Sequence, residues 1–233
     1  MAEAGDPPDG TRQSAGEAFV VFGSADLSGK VETAEGEQDL SILGVDANDA
    51  LGFCVSSGDP NSDGIDDVVL VAQRAAGAGG TRDASGEAYI ILGSGDLKGT
   101  IDTRSGEQDV TIWGAHGADL LSSCLASHDV NGDGIDDIVL GSGFANGPAR
   151  SRTGAGEAYV FFGSPGLQPV LDLAEGSEDI VLFGAQPGDR LGAGLASGDI
   201  NGDGRSEIIL VATLGDGPED GRPDAGEIYA ITP

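Results

Sequence analysis

A segment beginning Gly-Glu recurs at a fixed step: GEAFVVFGS starts at Gly16, GEAYIILGS at Gly86, GEAYVFFGS at Gly156 and GEIYAITP at Gly226. A second series keeps the same 70-residue interval, as DPNSDGIDD from Asp59, DVNGDGIDD from Asp129 and DINGDGRSE from Asp199. Between them lies a third, LSILGVDANDALG, VTIWGAHGADLLS and IVLFGAQPGDRLG. A repeat without net insertion means that one structural unit is built several times and that each copy packs chiefly on its neighbours.

Within each period the apolar runs are short. Around the middle repeat they lie at about 119–128, 136–142, 156–163 and 179–184, rich in β-branched and aromatic residues and bounded by Gly, Asp and Asn. The segments between them, such as FANGPARSRTGA, are turn-forming, and no stretch carries a helical apolar stripe. The expectation is an all-β chain. A four-stranded sheet buries neither face alone and must stack on its neighbours, as the blades of a β-propeller do. The 233 residues therefore read as a single propeller-type domain of four-stranded antiparallel blades. Its repeat units span approximately 16–85, 86–155 and 156–225, with a terminal strand at 226–233. Propellers close with about four to eight blades. About three blades plus partial blade strands leave open edges, so the chain is expected to be a fragment of a larger propeller or to pair with a second copy in a six- or seven-bladed ring.

The acidic series carries the chemistry. In DVNGDGIDD, side-chain oxygens alternate at Asp129, Asn131 and Asp133; Gly134 permits a sharp turn, Ile135 offers its carbonyl, and Asp137 closes the set from the next strand. The same positions are Asp59, Asn61, Asp63, Ile65 and Asp67 in the first loop and Asp199, Asn201, Asp203, Arg205 and Glu207 in the third. An all-oxygen set without Cys or His suits Ca²⁺, at about three sites. The third is expected to be the weakest, since Glu207 is longer and Arg205 adds a cation. An EF-hand is excluded, because its twelfth position needs a bidentate Glu and here holds Leu70, Leu140 and Leu210.

Taken together, WGAHGADLLSSCLASHDVNGDGIDDIVLGS and GEAYVFFGS resemble the FG-GAP repeat of integrin α-subunit β-propellers. The matching parts are the FG step (Trp113-Gly114, Phe183-Gly184), the GD-LG step (Gly188, Asp189, Leu191, Gly192), the acidic loop and the Gly-Glu strand. The resemblance implies that each acidic loop joins the first and second strands of a blade and binds one Ca²⁺, and that the module serves adhesion or ligand recognition and not catalysis. Departures are Leu43-Gly44 in place of FG and the degraded LVAQ, LGSG and LVAT segments.

The function expected is a calcium-stabilised binding module, extracellular, cell-surface or periplasmic, recognising a protein or glycan ligand through its variable loops. The alternatives are a self-assembling repeat domain and a propeller, accessory or catalytic, of a calcium-dependent glycan-active enzyme. The variable loops carry Arg74, Arg82, Arg150, Arg152 and Arg222, which either face an acidic ligand or balance local charge. With 11 Lys+Arg against 40 Asp+Glu, a net charge of −29, nucleic acid and anionic membranes are disfavoured as partners. No apolar run suits membrane insertion, and MAEAGDPPDG lacks the features of a secretory signal. His116 and His128 do not recur as a site, and no nucleophile elbow or zinc spacing is present. Cys54 and Cys124 occupy equivalent places of successive repeats and read as two separate small thiols or as a disulfide.

Overall fold

The structure is a computed structural model that describes residues 10–121, 124–217 and 221–232. Its strands are β1 (Glu17–Val20), β2 (Leu40–Leu43), β3 (Leu51–Gly58), β4 (Asp67–Ala72), β5 (Glu87–Ile91), β6 (Gly99–Asp102), β7 (Val110–Trp113) and β8 (Leu125–His128). They continue with β9 (Asp137–Ser142), β10 (Glu157–Phe161), β11 (Val170–Asp172), β12 (Ile180–Phe183), β13 (Leu191–Gly198), β14 (Glu207–Ala212) and β15 (Glu227–Ile231). Among the described residues helix is limited to single 3-10 turns such as Thr103–Ser105 and Leu173–Glu175. The all-β propeller architecture is as expected.

Strands β3-β4-β5-β7 form one antiparallel blade and β8-β9-β10-β12 the next, in matching register: Tyr89 faces Leu70 as Tyr159 faces Leu140. Strands β13-β14-β15 are the first three of a further blade, and β1-β2 the third and fourth of a preceding one. Four strands per period is an undercount. The short strands β6 and β11 leave their own blades and pair in parallel with the outer strand of the blade before, β6 on β2 and β11 on β7.

The blades stack in series. Leu40 and Ile42 meet Leu70, Tyr89 and Ile91 at the first interface. Val69, Ile90 and Ile112 meet Ile138, Leu140 and Phe161 at the second. Val139, Ala158 and Val160 meet Ile208 and Leu210 at the third. The Gly-Glu glycine follows from this stacking. Gly86 sits at positive φ with the backbone of Leu121 so close that an added Cβ would lie 2.6 Å from its nitrogen. Burial explains the recurring aromatic too, since Tyr89 is 1% exposed and Tyr159 4%, whereas Phe19 (41%) and Tyr229 (37%) lie on strands at the two ends of the stack. Residues 122–123 of the strand expected at 119–128 lie outside the described residues.

Both thiols are unbridged, the first of the two readings, and they are half-buried and in contact. Cys54 on β3 and Cys124 just before β8 hydrogen-bond to each other across the first and second complete blades. His128 ends β8 with its Nδ1 2.7 Å from the Ser197 hydroxyl.

Candidate calcium-binding loops

Each acidic loop joins the first strand of a blade to the second: residues 59–66 between β3 and β4, 129–136 between β8 and β9, and 199–206 between β13 and β14. The three fold alike. The carboxylate at the first position accepts the N–H of the fifth and sixth residues: Asp63 (3.0 Å) and Gly64 (2.8 Å) on Asp59, Asp133 (3.2 Å) and Gly134 (2.8 Å) on Asp129, Asp203 (3.1 Å) and Gly204 (2.9 Å) on Asp199. The Asn at the third position accepts from the fifth N–H through Oδ1 and donates through Nδ2 to the fifth carboxylate. The fifth carboxylate takes the N–H of Ile65, Ile135 or Arg205. Alternate side chains thus turn inward while the backbone curls around them. The turn needs a left-handed residue after the fifth position, supplied by Gly64, Gly134 and Gly204 with φ of 87°, 88° and 89°.

The ninth position opens the second strand and is fully buried in all three copies, as Asp67, Asp137 and Glu207. Asp137 is well supplied with donors: Oδ2 accepts from Val130 and Asn131, and Oδ1 from Gly163. Glu207 accepts from Ile200 N–H and Asn201 Nδ2. Among the described residues Asp67 has only Gly93 N–H, on Oδ1, and its Oδ2 is buried without a hydrogen-bond partner. The cause is local, since Pro60 stands where Val130 and Ile200 donate and proline has no N–H. Burial, together with the charges of Asp63 and Asp59, raises the Asp67 carboxyl to about 6 against a backbone bond from Gly93 that lowers it. Burial likewise raises Asp137. Asp199 is lowered by the N–H groups of Gly204 and Gly202.

The donor set suits a hard cation in its chemistry: each loop carries carboxylate and amide oxygens, and among the described residues one buried carboxylate oxygen has no other partner. Asp59, Asp63, Asp67 and their counterparts would hold the ion, with Asn61, Asn131 and Asn201 presenting amide oxygens and Ile65, Ile135 and Arg205 their carbonyls. Among the described residues no three His, Cys, Asp or Glu side chains are already gathered around one point, so such an ion would draw the carboxylates off the amide groups they now accept from. The third loop departs from expectation in one respect. The Arg205 side chain lies against Gly132, placing its charge over the second loop.

Residues that the sequence pattern did not single out join the loops to one another. Asp136 Oδ2 accepts Asp59 N–H at 3.0 Å, and Ser206 N–H donates to the Asp129 carbonyl at 2.9 Å. At the opposite end of the blades, Arg82 forms a double ion pair with Asp172 and Arg150 pairs with Asp119. Two of the loop arginines thus have carboxylate partners within the chain.

The FG-GAP repeat profile matches residues 125–161 and 191–231, which run from the first strand of a blade through its acidic loop to the third strand. The chain is similar to integrin alpha pat-2 of Caenorhabditis briggsae, 28% identical over 196 residues, 79% of this chain and 14% of that protein. It is similar to integrin alpha-PS5 of Drosophila melanogaster, 29% identical over 201 residues, 84% of this chain and 17% of that protein. A stretch of 94 residues is 37% identical to phosphatidylinositol-glycan-specific phospholipase D of Rattus norvegicus, 40% of this chain and 11% of that protein. The chain thus spans less than a fifth of the length of each.

Proposed function

Since the chain carries FG-GAP repeats in a propeller fold and resembles the integrin alpha subunits, we propose that it is a calcium-stabilised binding module and not an enzyme. The observation that carries the reading is the buried, partnerless Oδ2 of Asp67 at the base of an oxygen-lined loop repeated in register. A divalent ion supplies there the positive charge that the loop lacks. Binding to the folded state alone stabilises it by about 2.7 kcal/mol per site at a hundredfold excess over Kd. A calcium-rich setting outside the cytoplasm suits such sites.

Ligand recognition falls to the loops between second and third strands, at residues 73–85 and 143–155 and the described residues 213–217 and 221–225, at the end of the blades opposite the acidic loops. A protein or glycan is the class of ligand, and a second copy or a longer chain completes the ring. The likeness to a phosphatidylinositol-glycan-specific phospholipase D favours one other reading, an accessory propeller attached to a catalytic domain. Melting curves in calcium and in chelator test the main proposal. Calcium is expected to raise the melting temperature, and Asp133→Ala to remove about one site's share of three. A transition indifferent to chelator refutes calcium stabilisation.

A further inference from the structure

Blade-to-blade latches recur along the chain, and its two ends carry the complementary halves of one that is unmade. In the first latch β6 lies on β2, with Gly99 opposite Leu40 and Asp102 opposite Leu43, and Arg12 grips Asp102 with both nitrogens at 2.7 and 3.0 Å. In the second β11 lies on β7, with Asp172 opposite Trp113, and Arg82 grips Asp172 at 2.6 Å through both nitrogens. Each arginine also donates to the carbonyl of the following glycine step, Gly44 or Gly114. The third arginine of the series, Arg152, donates to Gly184 O and Ala185 O in the same way, yet among the described residues no carboxylate pairs with it. The strand beside it, β12, has a free outer edge among the described residues.

The missing half lies near the start of the chain. Gly29-Lys30-Val31-Glu32-Thr33 occupies the repeat position of Gly99-Thr100-Ile101-Asp102-Thr103. It has the same left-handed glycine (φ 86° at Gly29, 92° at Gly99) and the same 3-10 turn after it, closed by Gly36 as the other is by Gly106. Its surroundings differ. Thr103 and Leu173 are buried and Thr33 is exposed. Leu97 and Leu167 pack on the core, while Leu27 is 53% exposed. Glu32 has no side-chain partner among the described residues, where Asp102 and Asp172 are held by arginine. The receiving side is equally bare: β2 and β7 are almost wholly buried under β6 and β11, whereas β12 is half-buried to exposed, and an apolar hollow lined by Leu182, Phe183, Leu210, Tyr229 and Ile231 opens beside it.

We propose that the occupant of the β12 edge is residues 29–32 of a second copy of this chain. They pair in parallel with Gly29 opposite Ile180 and Glu32 opposite Phe183, and Glu32 is gripped by Arg152. In the intact latches the crossing strand is followed by the fourth strand of its own blade, so the second copy's β1 and β2 enter as the third and fourth strands of the blade begun by β13 and β14. They displace β15, whose Ile228 is 72% exposed. Two copies exchange these elements reciprocally and close a six-bladed ring. The inference deepens the second-copy reading above, but it rests on the strand edges alone and stands whether or not calcium stabilises the blades.

The test is sedimentation velocity on the full chain in calcium at physiological salt. Wild type is expected to form a dimer. Glu32→Arg and Arg152→Glu are each expected to weaken it by about tenfold or more, because each leaves like charges opposed in both interfaces. Mixing the two variants is expected to restore dimers, since the introduced arginine of one chain then meets the introduced glutamate of the other and the second interface keeps the native pair. Among the described residues neither Glu32 nor Arg152 has an ion-pair partner within the chain, and circular dichroism with the melting curve of each variant checks that it folds. A monomeric wild type, a dimer indifferent to both substitutions, or a mixture of folded variants that stays monomeric would overturn the proposal.

Discussion

The latch between Arg82 and Asp172 gives a direct measure of how much of the stack's stability comes from strands that cross between blades. The two residues are 90 apart in sequence, 20% and 15% exposed, and joined by two bonds of 2.6 Å. A charge-assisted pair in this partly dry setting is worth about 2 kcal/mol, well above the median for exposed surface pairs. Asp172 also accepts Ala174 N–H at 2.9 Å and so caps the 3-10 turn that follows, a contribution of about 1 kcal/mol. Asp172→Ala is expected to cost about 3 kcal/mol, or about 10 °C in melting temperature for a domain of this size. Asp172→Asn, which keeps an oxygen for the cap but loses the charge, is expected to cost about 2 kcal/mol. The bond from Arg82 holds the Asp172 carboxyl below its ordinary 3.8, helped by Ala174 N–H and opposed by burial. A depressed carboxyl adds stability above its unfolded pKa and loses it as pH falls through the folded one, so the difference between wild type and Asp172→Asn should shrink below about pH 4. Urea unfolding of the variants with Arg82→Leu in a double-mutant cycle isolates the pair. A coupling within about 0.5 kcal/mol of zero at neutral pH would refute the latch as a stabilising element.

Ser62 sits in the left-handed region at φ 59°, where the other two loops use Gly132 and Gly202, and Ser62→Gly is expected to stabilise the chain by about 1 kcal/mol in urea unfolding. Burial raises Asp49 to about 6, offset in part by Asp46 N–H and reinforced by the charges of Asp46 and Glu87. Its contribution is therefore present below about pH 4 and lost as pH rises through 6, so Asp49→Asn should gain on wild type across that window by as much as about 3 kcal/mol, read from unfolding at several pH values. Treatment with oxidised glutathione is expected to give a disulfide between Cys54 and Cys124 with release of two glutathione thiols, identified by non-reducing peptide mass mapping. Glutathione retained on either cysteine in place of the bridge would contradict their contact.

What the sequence disclosed and what it withheld have one cause. The 70-residue step fixes which residues are equivalent, and the acidic loops and blade strands are local patterns, so equivalence was enough to locate both. It does not say which repeat an element touches. Strands β6 and β11 are only four and three residues long and leave their own blade, so no periodicity marks them as strands. Arg12, Arg82, Arg152 and Arg222 keep the step as faithfully as the loop aspartates, yet the partners of the first two lie on the next blade's crossing strand, and the sequence offered for the loop arginines only an acidic ligand or local charge balance. The cysteines are the same case, for equal spacing places them on adjacent blades and only the stacking brings them into contact. Single departures from the repeat are visible in sequence but gain meaning from packing. Pro60 is an ordinary loop residue until its missing N–H leaves a buried oxygen of Asp67 without a donor, whereas in the second loop, which has an N–H at that position, the corresponding carboxylate is satisfied. The first loop is therefore the one whose folded form gains most from a cation. Chelator should loosen it before the second, and amide exchange at Asp63 and Gly64 should rise on calcium removal more than at Asp133 and Gly134. Equal loosening of the two loops would show that the donor missing at Pro60 does not govern calcium dependence.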